Sequence, residues 1–84
     1  MLSATLRAEL ADVETRLAPR LRARAKAASL LDSVRRDLLL ADAARHRMRV
    51  AQAAEDPQNV EDYGHLAAGA LRRAEAKLRV LRNA

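Results

Sequence analysis

The stretch Glu55-Asp56-Pro57-Gln58-Asn59 separates two long segments whose apolar residues recur with helical periodicity. Proline lacks an amide hydrogen and disfavours helical geometry at the residue before it, so an incoming helix is expected to end near Glu55. Asp56 or Asn59 can cap a second helix, and Pro57 is tolerated in the first turn of that helix. The stretch at 55–59 therefore predicts the turn of an antiparallel helical hairpin.

The segment before the turn, residues 20–54, predicts one long helix, because it contains neither Gly nor Pro and its apolar positions recur at threes and fours. These positions are Leu21, Ala25, Ala28, Leu31, Val34, Leu38, Ala41, Ala44, Met48 and Ala51. Leu30, Leu39 and Leu40 widen this apolar face beyond what one neighbouring helix covers. We therefore expect cover from two sides, by the C-terminal helix and by either residues 2–17 or another protein.

Shorter helices are predicted on both sides of the long one. Residues 3–17 carry an apolar stripe, and Pro19 then interrupts the pattern. This first segment is either a separate short helix or a kinked extension of the long helix. Residues 58–82 resume the helical pattern after the turn. Gly64 and Gly69 within it are expected to allow a neighbouring helix to approach closely, unless they only fray the first turn.

The helix lengths limit how the elements can pack. At about 1.5 Å per residue, the C-terminal helix spans about two thirds of the long one. Residues 20–30 are therefore expected to face the N-terminal segment, a partner or water. The predicted fold is a single all-α domain over residues 1–84, namely an antiparallel helical hairpin with an additional N-terminal helical segment.

The composition indicates a thin core. Of the 42 apolar residues, 20 are Ala and 14 are Leu, with one Tyr and neither Phe nor Trp. A chain this short with small apolar side chains usually needs very good packing or a partner to be stable. The absence of Cys fits a reducing compartment. No apolar run is long enough for a transmembrane helix, and no N-terminal pattern indicates a cleaved signal peptide. We expect a cytoplasmic protein.

Residues that carry chemistry are sparse, and we expect no enzymatic activity. His46 and His65 lie in different segments without a metal-ligand spacing, and there is no glycine-rich phosphate loop. The sequence predicts no cofactor and no metal site. The two histidines are interpreted as surface or boundary residues beside acidic side chains.

The net charge of +5 raises nucleic-acid binding as one function. Arg20, Arg22, Arg24 and Lys26 form one basic run, and Arg45, Arg47 and Arg49 form another. Residues two apart on a helix diverge by about 200°, so neither run makes a single stripe, and no aromatic residues interleave for base stacking. Ion-paired, solvated helix faces are the favoured interpretation of both runs.

A helical interaction module is the favoured hypothesis, because the apolar face is wide and the helix lengths are unequal. A self-sufficient three-helix bundle or a homodimer of structural role remains the alternative. The partner is expected to be helical. The residues predicted to seal the hairpin or to face the partner are Leu31, Val34, Leu38, Leu39, Met48, Val60, Tyr63, Leu71, Leu78 and Leu81.

Several stretches point to a known family. They are Asp56-Pro57-Gln58, Tyr63, Ala70-Leu71-Arg72-Arg73-Ala74-Glu75 leading into Leu78-Arg79-Val80-Leu81, and an early Val13-Glu14-Thr15-Arg16-Leu17. Together with the chain length and layout, they resemble the small co-chaperones of type III secretion needle subunits (the YscE/EscE/SsaE family). The resemblance implies a cytoplasmic antiparallel hairpin that pairs with a tetratricopeptide-like chaperone. That pair would hold the C-terminal helix of the needle subunit and prevent it from polymerising before export.

Overall fold

The computed structural model of the protein describes residues 2–21 and 25–83. These residues form three α-helices, α1 (Leu2–Leu21), α2 (Ala25–Ala53) and α3 (Pro57–Arg82), and contain no strand. The prediction of an all-α fold is confirmed. Helices α2 and α3 pack closely against each other, and α1 contacts both.

The boundary between the first two helices differs from the predicted one. Helix α1 continues through Pro19 to Leu21, and α2 begins at Ala25 rather than at residue 20. A proline within a helix lacks the amide that would donate to the carbonyl four residues earlier, here that of Thr15, and crowds that carbonyl, which kinks a helix or breaks it. Helix α1 nevertheless continues for two residues beyond Pro19. Arg22 and Arg24 of the first basic run lie outside the described residues.

Helix α2 ends in a turn that satisfies its last carbonyl groups. The amide of Glu55 donates to the carbonyl of Gln52 (3.1 Å), and the amide of Asp56 donates to the carbonyl of Ala51 (2.9 Å). Glu55 adopts the left-handed conformation, with φ of 55°. This pair of hydrogen bonds around a left-handed residue is a Schellman motif, in which Gly usually occupies the left-handed position.

Helix α3 starts immediately after this turn, in the way that the sequence predicts. Asp56 is the N-cap, and its carboxylate accepts a hydrogen bond from the amide of Asn59 (3.2 Å). The Asn59 side chain also donates to the same carboxylate (2.8 Å). Pro57 occupies the first helical position, where its missing amide costs nothing. Of the two predicted caps, Asp56 is the one that the structure shows, and α3 begins at Pro57, one residue before the predicted start.

The core lies away from the turn, where all three helices meet. Its buried members are Leu6, Leu10 and Val13 from α1, Leu31, Val34 and Leu38 from α2, and Ala74, Leu78 and Leu81 from α3. Closer to the turn, α2 and α3 bury mainly alanines. Leucine and valine burial is worth about 1.5–3 kcal/mol per side chain and alanine much less, so the core end contributes most of the hydrophobic stabilisation.

Polar contacts at the start of α1 add to this packing. The Ser3 hydroxyl donates to Asp42 Oδ1 (3.0 Å), and the Arg7 guanidinium donates to Asp42 Oδ2. Burial by itself raises the pKa of Asp42, but the hydrogen bonds from Arg7 and Ser3 and the charges of Arg7 and Arg45 outweigh it and hold the pKa below its ordinary value. Asp42 therefore stays ionised and ties α1 to the middle of α2.

The far part of α1 covers the beginning of α2. Glu14 accepts a hydrogen bond from Arg35 (2.6 Å), and this contact raises the pKa of the guanidinium. Ala27 and Leu30 pack against the core that Val13 and its neighbours form. Ala27 and Leu30 therefore have cover from the core in which all three helices meet. The prediction that the C-terminal helix spans only two thirds of the long one is wrong, because α2 begins at Ala25 and has 29 residues against 26 in α3.

The two glycines of α3 do not provide the predicted close helix approach. A Cβ atom added at Gly64 would lie 3.6 Å from Met48 Sδ, which is an ordinary contact. At Gly69 the nearest atoms belong to Arg73 (3.4 Å) and Arg72 (4.0 Å) of the same helix. The prediction of close approach is wrong, because the α2–α3 spacing leaves room for an alanine at both positions.

Candidate helix-docking surface

Half of the residues that the sequence singles out lie inside the protein. Leu31, Val34, Leu38, Leu78 and Leu81 are buried core residues. Leu71 is partly buried against the same core. The five buried side chains hold the three helices together and are not accessible to a partner in this structure, whereas Leu71 is partly accessible.

The remaining four predicted residues lie nearer the surface. Met48, Val60 and Tyr63 are half-buried in the part of the molecule close to the turn. Leu39 is 64% exposed although it directly follows the fully buried Leu38. Successive residues of a helix point about 100° apart, so Leu38 lies on the buried face of α2 and Leu39 lies on its exposed side.

A buried charged cluster between α2 and α3 was not predicted from the sequence. Asp37 is 8% exposed, and its Oδ2 accepts a hydrogen bond from Lys77 Nζ at 2.6 Å. Lys77 also donates to the Ser33 hydroxyl (2.6 Å), and Arg73 Nε lies 3.5 Å from Asp37 Oδ1. The only sequence signal is that Ser33 and Asp37, four residues apart, border the apolar stripe. Their partners lie about forty positions along the chain.

One face of α2 has no cover from the described residues. Its five exposed residues are spaced by four, three, four and three: Leu39, Ala43, His46, Val50 and Ala53. We refer to these five residues as the α2 seam. Leu39 and Val50 are its large apolar members, and Val50 is 56% exposed. This spacing produces one continuous stripe along a helix, so the apolar members can contact a single neighbour.

Arginines border the α2 seam without carboxylate partners. Arg47 and Arg49 are exposed and have no ion pair with any residue that the structure describes. The two acidic side chains of α2 that lie nearest to them in sequence are already engaged, since Asp37 binds Lys77 and Asp42 binds Arg7. The surface around the seam is therefore both apolar and positively charged.

An open groove extends from the seam toward α3. It measures about 570 Å³, and Asn59 and Tyr63 form its α3 side. On α2 it is lined by Ala43, His46 and Val50 together with neighbouring residues. The structure thus brings Tyr63, which the sequence selects, next to the seam that begins at Leu39.

The exposed apolar residues of α3 do not form an equivalent surface. Leu66 is 51% exposed and Val80 is 61% exposed, but they are fourteen positions apart. Arg73 lies between them, and it pairs with Asp37. The α2 seam is therefore the more continuous of the two apolar surfaces.

Within residues 2–21 and 25–83, none of the helices has both the length and the apolar character that crossing a bilayer requires.

Comparisons with known proteins identify no relative of the chain. No protein-family model matches the chain, and no curated protein or solved structure shows significant similarity to it.

Proposed function

We propose that the chain is a non-enzymatic helical binding module. In this proposal α2 and α3 form an antiparallel hairpin, α1 completes the core, and the α2 seam receives a helix of another protein. The observation that carries the proposal is the exposure of Leu39 and Val50 on a helix that buries Val34, Leu38 and Ala41 on its other face. Exposed apolar side chains in one stripe favour association, because their burial removes them from water.

The specific role that we propose is that of a co-chaperone in type III secretion. The chain would pair with a tetratricopeptide-like chaperone in the cytoplasm and keep a needle subunit monomeric before export. Support comes from the sequence resemblance at Asp56-Pro57-Gln58, Tyr63 and residues 70–81, and from the close packing of α2 against α3. Tetratricopeptide repeats are helical, so their surface matches the kind of partner that the seam accepts.

Co-expression with such a chaperone and a needle subunit from the same genome tests this role. We expect a stable complex by size-exclusion chromatography with light scattering, and a needle subunit that stays monomeric within it. The same experiment with Leu39→Asp should lose the complex. A needle subunit that polymerises equally with and without the chain would contradict the co-chaperone role.

Nucleic-acid binding is the second candidate, and one observation favours it. Arg36, Arg47, Arg49 and Arg72 have no ion pair among the described residues, so they are available to phosphates. Arg47 and Arg49 nevertheless diverge to the two sides of the α2 seam and do not line one track. Phosphate binding weakens steeply between about 50 and 200 mM salt, whereas an apolar helix interface changes little. Tight, salt-sensitive binding of duplex DNA would favour this second function.

Two alternatives remain, a self-sufficient bundle and a homodimer of structural role. Measuring the oligomeric state distinguishes them from the helix-binding and nucleic-acid-binding functions. A chain that is monomeric and stable alone, and binds neither the chaperone nor DNA, would support the first. A concentration-dependent dimer that Leu39→Asp dissociates would support the second.

A further inference from the structure

The spacing of the α2 seam is that of a coiled-coil heptad. Residues 39, 43, 46, 50 and 53 occupy alternating d and a positions, at which helices of a coiled coil meet. In this register Arg47 takes an e position and Arg49 takes a g position. Side chains at e and g flank the contact and select the partner helix by charge.

We propose that the α2 seam binds a partner helix that carries glutamate or aspartate at the positions flanking its own apolar residues. This inference rests on the proposed function as a helical binding module and adds the chemical class of the partner. Arg47 and Arg49 would each meet a carboxylate across the interface, because no described residue of the chain supplies one.

The size of the seam residues further restricts the partner. Ala43 and Ala53 are small, so a partner helix can approach α2 closely and must itself bring larger side chains such as leucine. Leu40, at the other e position, is 45% exposed and adds apolar area on the side facing α3. The partner is therefore an amphipathic helix with a broad leucine-rich face and acidic edges.

The protein already contains one contact of this chemistry. Helix α1 places Leu10 and Val13 in the core, and its Glu9 and Glu14 pair with Arg82 and Arg35 at the edges of that contact. An amphipathic helix with acidic flanks thus packs on α2 and α3 from one side. The α2 seam presents the same combination of apolar stripe and flanking arginine on another side, where nothing described covers it.

A second copy of the chain fits the seam less well. Two facing seams would bring Arg47 and Arg49 toward the same arginines of the other copy. The only carboxylate at a flanking position is Asp42, which binds Arg7 and Ser3. Like charges at these positions disfavour pairing, so charge complementarity points to a different, acidic helix.

Two designed peptides test the inference on the full chain. Each is a four-heptad helix with leucine at a and d; one has glutamate at every e and g position and the other has lysine there. Because like charges at e and g disfavour self-pairing, both peptides remain available. Fluorescence anisotropy gives the two dissociation constants. We expect the glutamate peptide to bind about tenfold more tightly than the lysine peptide.

Charge-reversal variants show whether the seam is the site. Arg47→Glu together with Arg49→Glu should reverse the preference, so that the lysine peptide binds more tightly. Arg72→Glu is the matched control for Arg47→Glu alone, which should weaken the preference, since Arg72 is also exposed and unpaired among the described residues but lies on α3. This control should leave the preference unchanged. All three positions are exposed, so circular dichroism and Tm should match those of the wild type.

The other outcomes overturn the inference in distinguishable ways. If both peptides bind equally and Arg47→Glu with Arg49→Glu has no effect, the acidic partner is wrong while the helix-binding function stands. If Arg72→Glu acts as strongly as the seam variants, the preference reflects net charge rather than the seam. If neither peptide binds, but vesicles of phosphatidylglycerol or a duplex DNA do, the partner is a lipid surface or a nucleic acid. The co-expression experiment then decides the proposed function separately.

Discussion

Lys77 Nζ lies 2.6 Å from Asp37 Oδ2 and joins α3 to α2 at the edge of the core. The Asp37 side chain is 12% exposed and that of Lys77 is 26% exposed, so the pair is largely removed from water. Lys77 additionally binds the Ser33 hydroxyl. Because this contact joins Ser33 and Asp37 of α2 to Lys77 of α3, it favours the observed register between the two helices.

Replacing Asp37 by alanine should destabilise the protein by about 2 kcal/mol, because Lys77 and Arg73 lose the carboxylate that compensates their charge. The double variant Asp37→Leu with Lys77→Met should cost less than Asp37→Ala, since no charge is then left without a partner. Urea unfolding of each variant measures the difference. Equal losses of unfolding free energy in the single and double variants would mean that Asp37 and Lys77 are not coupled.

Leu38 and Leu39 are adjacent in sequence and should respond oppositely to substitution. Leu38→Ala should cost about 2–5 kcal/mol, because it opens a cavity in the core, and Leu38→Asp should unfold the chain. Leu39→Asp should change the free energy of unfolding by less than about 0.5 kcal/mol and still abolish binding of a helical partner.

Val80→Asp is the matched control for Leu39→Asp, since Val80 is 61% exposed but lies away from the α2 seam. It should preserve both folding and partner binding. Thermal unfolding and the peptide-binding assay measure the two effects. A Leu39→Asp variant that binds as well as Val80→Asp would remove the seam from the interface.

Glu55→Gly should stabilise the protein by about 0.5–1 kcal/mol, because Glu55 adopts the left-handed conformation that glycine accepts without steric cost. For a domain of this size the corresponding rise in Tm is about 3–6 °C. Gln52→Gly, at an exposed helical position of the same turn, should have the opposite effect. A fall in Tm for Glu55→Gly would mean that its side chain contributes more than the backbone strain costs.

Gly69→Ala should stabilise α3 by about 1 kcal/mol, since an added Cβ atom would meet only flexible arginine ends of the same helix. Gly64→Ala should also stabilise, because its Cβ would lie 3.6 Å from Met48 Sδ. Ala68→Gly provides the reverse control within the same helix. Chemical denaturation of the three variants tests whether glycine is needed here, and a loss of stability in Gly69→Ala would show that it is.

Low pH should weaken the contact that Asp42 of α2 makes with α1. Contacts without a carboxylate should be affected less. The pKa of Asp42 is lowered in the folded protein, because hydrogen bonds and charges from Arg7, Ser3 and Arg45 outweigh the effect of burial. Its stabilising contribution is therefore present above the unfolded pKa of about 3.9 and is lost as the pH falls through the folded value.

The Asp42→Asn variant isolates this contribution. The stability of the wild type should fall more steeply below about pH 4 than that of the variant, and the two curves should converge in strong acid. Unfolding by urea at several pH values gives both curves. Parallel curves over the whole range would show that Asp42 does not contribute to the pH dependence.

Local signals in the sequence determined the secondary structure. Proline geometry and capping at Asp56 and Pro57 indicated where α3 begins, and the i,i+4 pairs Asp12–Arg16 and Glu75–Arg79 form at 3.4 Å. These features depend on residues within about four positions, which is the range of helical hydrogen bonds and side-chain pairs. They can therefore be predicted without knowing what packs against the helix.

Burial and the contacts between helices depend instead on tertiary packing. Which leucine of the Leu38–Leu39 pair is buried depends on where α1 and α3 lie around α2, and the Asp37–Lys77 contact joins positions forty residues apart. The continuation of α1 through Pro19 likewise could not be read from the proline alone. The periodicity of the apolar residues indicates the helical segments and an apolar face wider than one neighbour needs. Only the packing of those segments showed that α1 covers one side of that face and leaves the seam from Leu39 to Ala53 exposed, because burial is a property of the assembled helices rather than of any one of them.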